Sequence, residues 1–410
     1  MPYKMTGLSL FLFSLLVGVW FSCSAAKNSD ERIRAVEKTD HCEADADNTY
    51  EVYIPERNIS VKEFPLLVII DAHGSGKFAL SKFKQAADKY PAVLAASNLV
   101  KNGFENFEQA IQTMITDLHQ KYPAGKTIFM TGFSGGARMA LGYALNHQMN
   151  GLILCGALGN PKQINAVHCP VISISGMDDF NFIETAQYLF QEELIPGNLK
   201  IELTGASHNW PDSTILADAL GFIQLSCQDA DITAKTRSQL EVYCKSQQVR
   251  IDSLKKQGDY LKALLAARNM AFTTPFNRVS EFNSLYNQIK NNSEYTSRLN
   301  RLKDNVKYEI SLRQPYMSAF MTKDALWWKN EIQTIDDKIK NERDSYTKAM
   351  YRRIKAFWGI ACYSLSNRAV KEQNANMLNK VLPVYRMLEP DNPDMFYFSA
   401  FPYFWKGNNK

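Results

Sequence analysis

The feature that most constrains this chain is an alternation of short apolar runs with helical stretches between Tyr50 and about Cys227. The apolar runs have the length of strands, and they are YEVYIP, LLVIIDA, AVLAAS, TIFMTG, LILCGA, VISISG and IELTG. Several are apolar at nearly every position, which is typical of parallel strands covered on both faces. Strands and helices that alternate at this spacing predict a doubly wound, mostly parallel α/β sheet.

After about Asp229 the strand pattern ends, and the sequence becomes charged and periodic in the manner of long amphipathic helices. We therefore predict an α/β domain over residues 45–228 and an all-α domain over residues 229–410. Four prolines are expected to separate the helices of this second domain: Pro275, Pro315, Pro383 and Pro390.

The N-terminus has the pattern of an export signal. Lys4 precedes an apolar run from Leu8 to Phe21, which is short for a membrane span and about the length of a signal-peptide core. Cys23 follows Ser22 directly after that run, and a polar segment begins behind it. The pattern resembles a bacterial lipoprotein signal, in the looser form of Bacteroidetes lipoproteins, because Trp20 stands where Leu is commoner.

The lipoprotein resemblance implies a signal peptide over residues 1–22, lipidation of Cys23 and a polar tether over residues 23–44. The protein would then be exported and anchored to a membrane of a bacterial cell envelope, in the periplasm or at the cell surface. A plain secretory signal cleaved near Ala25 or Ala26 and an uncleaved anchor are the alternatives. No other stretch reaches about 18 apolar residues, so no further span is expected.

Charge and cysteine content exclude some functions. The net charge of +5 over 410 residues is small, and no compact basic stripe accompanies it, so nucleic-acid binding is not expected. Six cysteines follow Cys23, and an exported protein could join some of them in disulfides. Cys227 and Cys244 flank the predicted domain junction and could pair, but the sequence leaves the connectivity open. None of the spacings is that of a zinc site.

The strongest local signal is centred on Ser134. A predicted strand runs into Gly132-Phe133-Ser134-Gly135-Gly136, and a predicted helix follows directly. A nucleophilic serine needs such a strand-to-helix turn, because the turn exposes the hydroxyl and small neighbours let the backbone pass closely. The helix N-terminus then directs its dipole toward negative charge that develops at the serine.

An upstream turn supplies a second signal. The strand that ends at Asp71 is followed by Ala72-His73-Gly74-Ser75-Gly76. A His-Gly turn after an early strand resembles the oxyanion loop of α/β-hydrolases, in which one loop amide joins the amide of the residue after the nucleophile. The second donor would be Gly135, and the first Gly74 or Ser75; the alternatives are an ordinary turn or a phosphate-holding loop.

An acid and a base follow in the order that this fold uses. Asp178 and Asp179 come just after the predicted strand VISISG, and the register favours Asp179 with Asp178 as the competitor. His208 follows the last predicted strand in Gly-x-x-His-x-Trp-Pro. This motif resembles the histidine loop of feruloyl-esterase and polyhydroxybutyrate-depolymerase-like hydrolases.

The resemblance to the α/β-hydrolase family covers roughly residues 45–227 and implies a serine hydrolase, most simply a carboxylic ester hydrolase. Ser134 would attack an acyl carbonyl, His208 would take its proton, and Asp179 would orient the imidazole. It calls for no metal or organic cofactor. Only about 30 residues separate the Ser134 helix from the Asp179 strand, so a small-molecule or polymer-borne ester fits better than a long-chain triglyceride under a lid.

Two other functions stay open. One is a serine peptidase on the same fold; the other is a lipoprotein adaptor whose helical domain binds a partner and whose hydrolase domain is vestigial. In the helical half, residues 384–408 and 257–264 weakly resemble tetratricopeptide units, without a clean 34-residue period. A protein or glycan partner could bind there. Most of its aromatic residues are expected to pack in a core, and they include Trp327, Trp328, Trp358, Tyr397, Phe401, Tyr403, Phe404 and Trp405.

Overall fold

The computed structural model describes residues 32–191, 195–227, 234–273 and 275–405. The predicted signal peptide and Cys23 lie outside the described residues. Within them, no helix is both long and apolar enough to cross a membrane.

An eight-stranded sheet organises the first half of the chain. The ten strands are β1 (Arg32–Ile33), β2 (Val36–Cys42), β3 (Asp45–Ile54), β4 (Arg57–Asn58), β5 (Phe64–Ile70), β6 (Val93–Ser97), β7 (Ala124–Phe133), β8 (Gly151–Cys155), β9 (Val171–Gly176) and β10 (Leu199–Thr204). The large sheet has the order β10-β9-β8-β7-β5-β6-β3-β2, and β1 pairs separately with β4. Strands β5 to β10 are mutually parallel, whereas β3 and β2 run antiparallel to their neighbours.

Fourteen α-helices are present in the described residues. They are α1 (Gly76–Lys89), α2 (Phe107–Lys121), α3 (Gly135–Asn146), α4 (Pro161–Ala166), α5 (Phe182–Phe190), α6 (Ser213–Ser226), α7 (Ala234–Lys256), α8 (Tyr260–Ala271), α9 (Ser280–Lys290), α10 (Ser293–Thr322), α11 (Ala325–Asn341), α12 (Ser345–Lys371), α13 (Ala375–Leu388) and α14 (Pro393–Trp405). Strands β6, β8 and β9 are buried at every position, so helices cover both faces of the sheet. The predicted fold class, a doubly wound, mostly parallel sheet followed by helices, is confirmed.

The sheet begins earlier than the sequence predicted. Residues 23–44 were expected to form a polar tether, but Val36–Cys42 is the edge strand β2, which pairs antiparallel with β3. Its polar composition misled the prediction, because six of its seven residues lie at least partly in solvent and only Cys42 is buried. An exposed edge strand needs no apolar run.

The helical half is not separated from the sheet by its packing. One core extends from the sheet through α7, α8 and α9 into the first half of α10, and a second core joins the end of α10 to α11–α14. Helix α8 covers the free edge of β10, where the Asn269 amide accepts from Ile201 N at 3.2 Å and donates to Ile201 O at 2.8 Å. Asn269 thus bonds to the edge as a neighbouring strand would.

Several details of the helical half differ from the sequence prediction. Pro315 and Pro383 lie inside α10 and α13 instead of between helices. Each proline removes one backbone N–H donor from its helix. Packing of the surrounding side chains stabilises the helix despite that loss. Of the aromatic residues expected in a core, Trp328 and Trp358 are buried, whereas three on α14 are mostly exposed: Tyr397, Tyr403 and Phe404.

The two segments that resemble tetratricopeptide units fall on helix pairs, and the repeat itself stays a prediction. Residues 384–405 span the end of α13 and all of α14. Gly258, with φ of 73°, makes the break between α7 and α8. The six described cysteines are all free thiols, so the suggested pairing of Cys227 with Cys244 is not formed.

Candidate active site

Ser134 lies on a strained turn between β7 and α3. Its φ of 55° and ψ of −116° are unfavourable for a residue that has a Cβ atom. Its amide donates to Cys155 O at 2.8 Å, which ties the turn to β8. A Cβ atom on Gly136 would lie 2.1 Å from Ile70 O, and one on Gly132 would lie 2.3 Å from Gly136 O. Glycine is therefore required at both positions, and the turn presents the Ser134 hydroxyl at the carboxyl end of the sheet.

Three of the predicted side chains lie in one chain of hydrogen bonds. The Ser134 Oγ is 2.9 Å from His208 Nε2. His208 Nδ1 is 2.9 Å from both carboxylate oxygens of Asp179. With the ring proton on Nδ1, the imidazole donates to Asp179 and its Nε2 accepts from the serine hydroxyl. The rings of Phe133 and Phe180 flank the imidazole, with centroids 4.7 and 4.3 Å from it.

The structure separates the two competing acids. Asp179 is 1% exposed, and one of its oxygens also accepts from Asn181 N at 2.8 Å. Asp178 points away from His208 and pairs with Arg352 at 2.9 Å. Asp179 is therefore the carboxylate in contact with His208, as the register in the sequence favoured.

The predicted oxyanion residues lie on both sides of Ser134. Gly135 opens α3, where the first amides of a helix have no intrahelical acceptor. In the upstream loop, Gly74 adopts a φ of 71°, and its amide donates to Asp71 O at 3.1 Å. The Ser75 amide donates to Asp71 Oδ1 over a longer distance of 3.3 Å. Both upstream amides thus have an acceptor within their own loop.

Asp71 is a residue of the site that the sequence reasoning missed. Its buried carboxylate accepts from the amides of His73 and Ser75 through Oδ1 and from Trp210 Nε1, at 2.9 Å, through Oδ2. Trp210 follows His208 by two residues, and its ring packs on Phe133. One carboxylate therefore connects the upstream loop to the histidine loop. The only signal in the sequence was the Trp-Pro that completes the histidine motif.

Asn102 is a second residue that the sequence did not indicate. It lies in the loop after β6, and its backbone N–H donates to Ala72 O at 2.9 Å. Its side chain covers Gly135, because a Cβ atom on Gly135 would lie 1.7 Å from Asn102 Oδ1. The side-chain amide of Asn102 thus packs against Gly135, directly after the Ser134 turn.

A cavity of about 310 Å³ opens one helical turn beyond Ser134, between α3, the loop after β8 and α5. Arg138 and Glu184 form a double hydrogen bond across it, at 2.7 and 3.2 Å. The other lining residues mix polar and apolar side chains, and they are Ala137, Leu141, Leu154, Ala157, Leu158, Gly159, Asn160, Gln163 and Gln187. Residues 147–170, which join α3 to β9, contain only β8 and the short α4 as regular elements.

Within the described ranges, no group of three or more His, Cys, Asp or Glu side chains could hold a metal ion. Titratable groups outside the site include two cysteine thiols, of which Cys244 is buried and Cys227 is partly buried. Burial raises the pKa of Cys227 to about 11 and that of Cys244 to about 11.

No protein-family model and no curated protein matches this chain. Solved structures do match. Est1E from Butyrivibrio proteoclasticus is 13% identical with a TM-score of 0.36, over 47% of this chain and 98% of its own. The feruloyl esterase module from Clostridium thermocellum, complexed with sinapinate, is 14% identical with a TM-score of 0.38, over 46% of this chain and 86% of its own. A puromycin-hydrolyzing peptidase from Mycobacterium tuberculosis is 9% identical with a TM-score of 0.38, over 47% of this chain and 38% of its own.

Proposed function

We propose that this protein is a serine hydrolase in which Ser134 is the nucleophile, His208 the general base and Asp179 the group that orients and stabilises the imidazole. The observation that carries the proposal is the unbroken chain of hydrogen bonds from Ser134 Oγ through His208 to the buried Asp179, with each distance at 2.9 Å. The strained backbone of Ser134 supports it, because such strain concentrates at functional sites.

The reaction follows from the atoms that these contacts bring together. Ser134 Oγ attacks the acyl carbonyl while its proton passes to His208 Nε2, and the Asp179 carboxylate stabilises the imidazolium. His208 then gives that proton to the leaving oxygen, which departs from the acyl-enzyme. His208 then takes a proton from a water molecule that attacks the acyl-enzyme. The bond between the acyl carbon and Ser134 Oγ breaks, Oγ recovers a proton from His208, and the acid is released.

We propose Gly135 N–H and one amide of the upstream loop, Gly74 N–H or Ser75 N–H, as the donors to the oxyanion. Gly135 is adjacent to the nucleophile at the N-terminus of α3, whose dipole favours negative charge. Both upstream amides already donate within their own loop, Gly74 to the Asp71 carbonyl at 3.1 Å and Ser75 to the Asp71 carboxylate at 3.3 Å. Either amide would have to exchange that bond for one to the oxyanion.

For the substrate we propose a polar carboxylic ester, either a small molecule or an acyl group borne on a polymer. The cavity that opens beyond Ser134 at Arg138 is lined by charged and amide side chains as well as apolar ones. The connection between α3 and β9 contains only β8 and the short α4, which is too little chain for an inserted lid domain. Both features favour a water-soluble ester over a long-chain lipid.

Turnover of short p-nitrophenyl esters by the purified chain, compared with peptide p-nitroanilides, tests this proposal. We expect ester hydrolysis that falls by at least about 10³-fold in Ser134→Ala. Ser213→Ala is the matched control, because the Ser213 hydroxyl donates to Gln85 and lies outside the triad. Faster turnover of the nitroanilides would identify a peptidase, and equal ester turnover by Ser134→Ala would contradict the proposed nucleophile.

We also propose that the protein is exported and held at a membrane of a bacterial cell envelope by lipid on Cys23, as the N-terminal sequence pattern predicts. Fractionation of expressing cells tests the anchor. Cys23→Ala is expected to leave the membrane fraction, whereas Cys42→Ala, a change at a buried thiol of β2, is expected to remain in it. Retention of Cys23→Ala in the membrane would contradict lipidation.

A further inference from the structure

The loop that carries Asp179 is held from the helical half of the chain. This loop, residues 177–181, connects β9 to α5. Two of its backbone carbonyls, at Met177 and Phe180, accept hydrogen bonds from arginines more than 130 residues later in the sequence. These two carbonyls bracket Asp179 on both sides.

Arg353 of α12 holds the first carbonyl. Its Nη1 donates to Met177 O at 2.6 Å, and its guanidinium lies over the ring of Phe182 with 4.7 Å to the centroid. Its Nε donates to Glu309 of α10 at 2.8 Å. Arg353 and Glu309 are both fully buried, so neither ion of this pair is in contact with solvent.

Arg313 of α10 holds the second carbonyl. Its Nη2 donates to Phe180 O at 2.7 Å and to the other oxygen of Glu309 at 3.0 Å. Phe180 is the residue whose ring packs on His208. Glu309 therefore fixes two arginines at once, and each arginine fixes a carbonyl next to Asp179.

A third contact comes from the neighbouring arginine on α12. Arg352 pairs with Asp178 at 2.9 Å, which keeps that carboxylate away from His208. Three contacts from α10 and α12 thus reach a loop of five residues.

We infer that Arg353 and Arg313, fixed by Glu309, are positioning residues that hold the Asp179 loop in register with His208; the inference rests on the proposed hydrolase function. A buried ion pair is a poor device for stability alone, because desolvation offsets its Coulombic gain. It can, however, fix the position of neighbouring groups, because the N–H donors of a guanidinium point in fixed directions. The helical half is by this inference part of the active site's construction and not only an appended binding module.

The test compares variants of the full chain. Arg353→Met and Arg313→Met each remove one donor to the loop, and Arg353→Lys restores a donor at the same position. Arg268→Met is the matched control, because Arg268 is also buried and also donates to two carbonyls of the first half, those of Leu199 and Ile195, at 3.2 and 3.1 Å. Those carbonyls lie at the amino end of β10, opposite the triad.

Three quantities are measured for each variant: the melting temperature, kcat and KM for p-nitrophenyl acetate, and the ¹H resonance of the His208 Nδ1 proton, identified by its loss in His208→Gln. In both loop variants we expect kcat to fall about 10- to 100-fold with KM within about 2-fold, because a misplaced catalytic group lowers the rate of the chemical step. The Nδ1 resonance should shift, and Arg353→Lys should recover part of kcat. Arg268→Met should lower the melting temperature and leave kcat within about 2-fold.

The inference is overturned if the loop variants lose melting temperature as Arg268→Met does while kcat and the Nδ1 resonance stay at their wild-type values. If Arg353→Met does not fold, Arg313→Met decides, since its side chain is partly exposed and its loss leaves the Arg353–Glu309 pair intact. A wild-type chain without turnover would refute the proposed function instead, and the Nδ1 resonance would still decide whether the arginines position Asp179.

Discussion

The bond between Asp71 and Trp210 predicts a measurable coupling between two loops of the site. Trp210 Nε1 donates to Asp71 Oδ2 at 2.9 Å, and both residues are buried, with Trp210 8% and Asp71 3% exposed. Asp71→Asn removes the charge and turns an amide N–H₂ toward either Trp210 or the loop amides, so one donor always loses its acceptor. Trp210→Phe removes the indole donor and leaves the carboxylate oxygen without a partner.

A hydrogen bond to a charged group contributes about 1.5–3 kcal/mol, and a buried donor left without a partner costs about 1–3 kcal/mol. We therefore expect each single change to lower the free energy of unfolding by about 2–3 kcal/mol. In the double variant the free energy of unfolding should fall by about 2 kcal/mol less than the sum of the two single losses. The reason is that both single changes break the same hydrogen bond, which the double variant can lose only once.

Urea unfolding followed by circular dichroism at 25 °C measures these free energies. Trp358→Phe supplies the matched control, because Trp358 is fully buried, yet its indole nitrogen has no hydrogen-bond partner among the described residues. Asp71→Asn and Trp358→Phe should be additive within about 0.5 kcal/mol. The reasoning is refuted if Asp71→Asn and Trp210→Phe are additive to the same degree.

Three further predictions concern single residues. Asp179→Asn should lower kcat by about 10⁴-fold, because the amide stabilises the wrong imidazole tautomer. Asp178→Asn should lower kcat far less, and a larger loss of kcat in Asp178→Asn would reverse the assignment of the two residues. Because burial raises the pKa of Cys227 to about 11, its alkylation by iodoacetamide at pH 8 should be slow in the folded chain and fast in urea, as mass spectrometry can measure. Asp344 caps α12 by accepting from Thr347 N at 2.9 Å, so Asp344→Ala should lower the free energy of unfolding by about 1 kcal/mol at pH 7. Burial alone would raise the pKa of Asp344, but the bonds from Thr347 and the ion pair with Arg301 together lower it below its usual value of 3.8. The contribution of Asp344 to stability is therefore present above pH 3.8 and is lost as the pH falls through the lower folded pKa. Urea unfolding at pH 7 and at acid pH should show the difference between Asp344→Ala and the wild type disappear.

The sequence predicted the parts of this molecule that local pattern determines. The central strands are apolar at nearly every position because both faces of the sheet are buried. An apolar run of that kind can be recognised from the sequence alone. The turn at Ser134 could also be predicted, because its Gly-x-Ser-x-Gly pattern is contiguous in the sequence. The contacts that require the two glycines are only partly local: a Cβ atom on Gly132 would meet Gly136 O, whereas one on Gly136 would meet Ile70 O on β5. Edge strand β2 has neither an apolar run nor a glycine motif, and its polar residues were interpreted as a tether.

Contacts between distant segments could not be predicted in this way. Glu309 and Arg353 stand in charged helical sequence, where such residues are ordinarily solvated, and nothing local reveals that both are fully buried. Asp71 ends an apolar strand as many turn acids do, and its bond to Trp210 joins residues 139 positions apart. Register selected Asp179 over Asp178, but the contact that occupies Asp178 lies 174 positions further on, at Arg352.

The most direct test of the account is the site at which the chain reacts with a fluorophosphonate, a reagent that phosphonylates an activated serine. We predict one modified peptide in the wild-type chain, with the added mass on Ser134, no labelling of Ser134→Ala, and labelling of His208→Ala slowed by at least about 10³-fold. Modification of another serine, or ester turnover that persists in Ser134→Ala, would contradict the assignment of Ser134 as the nucleophile.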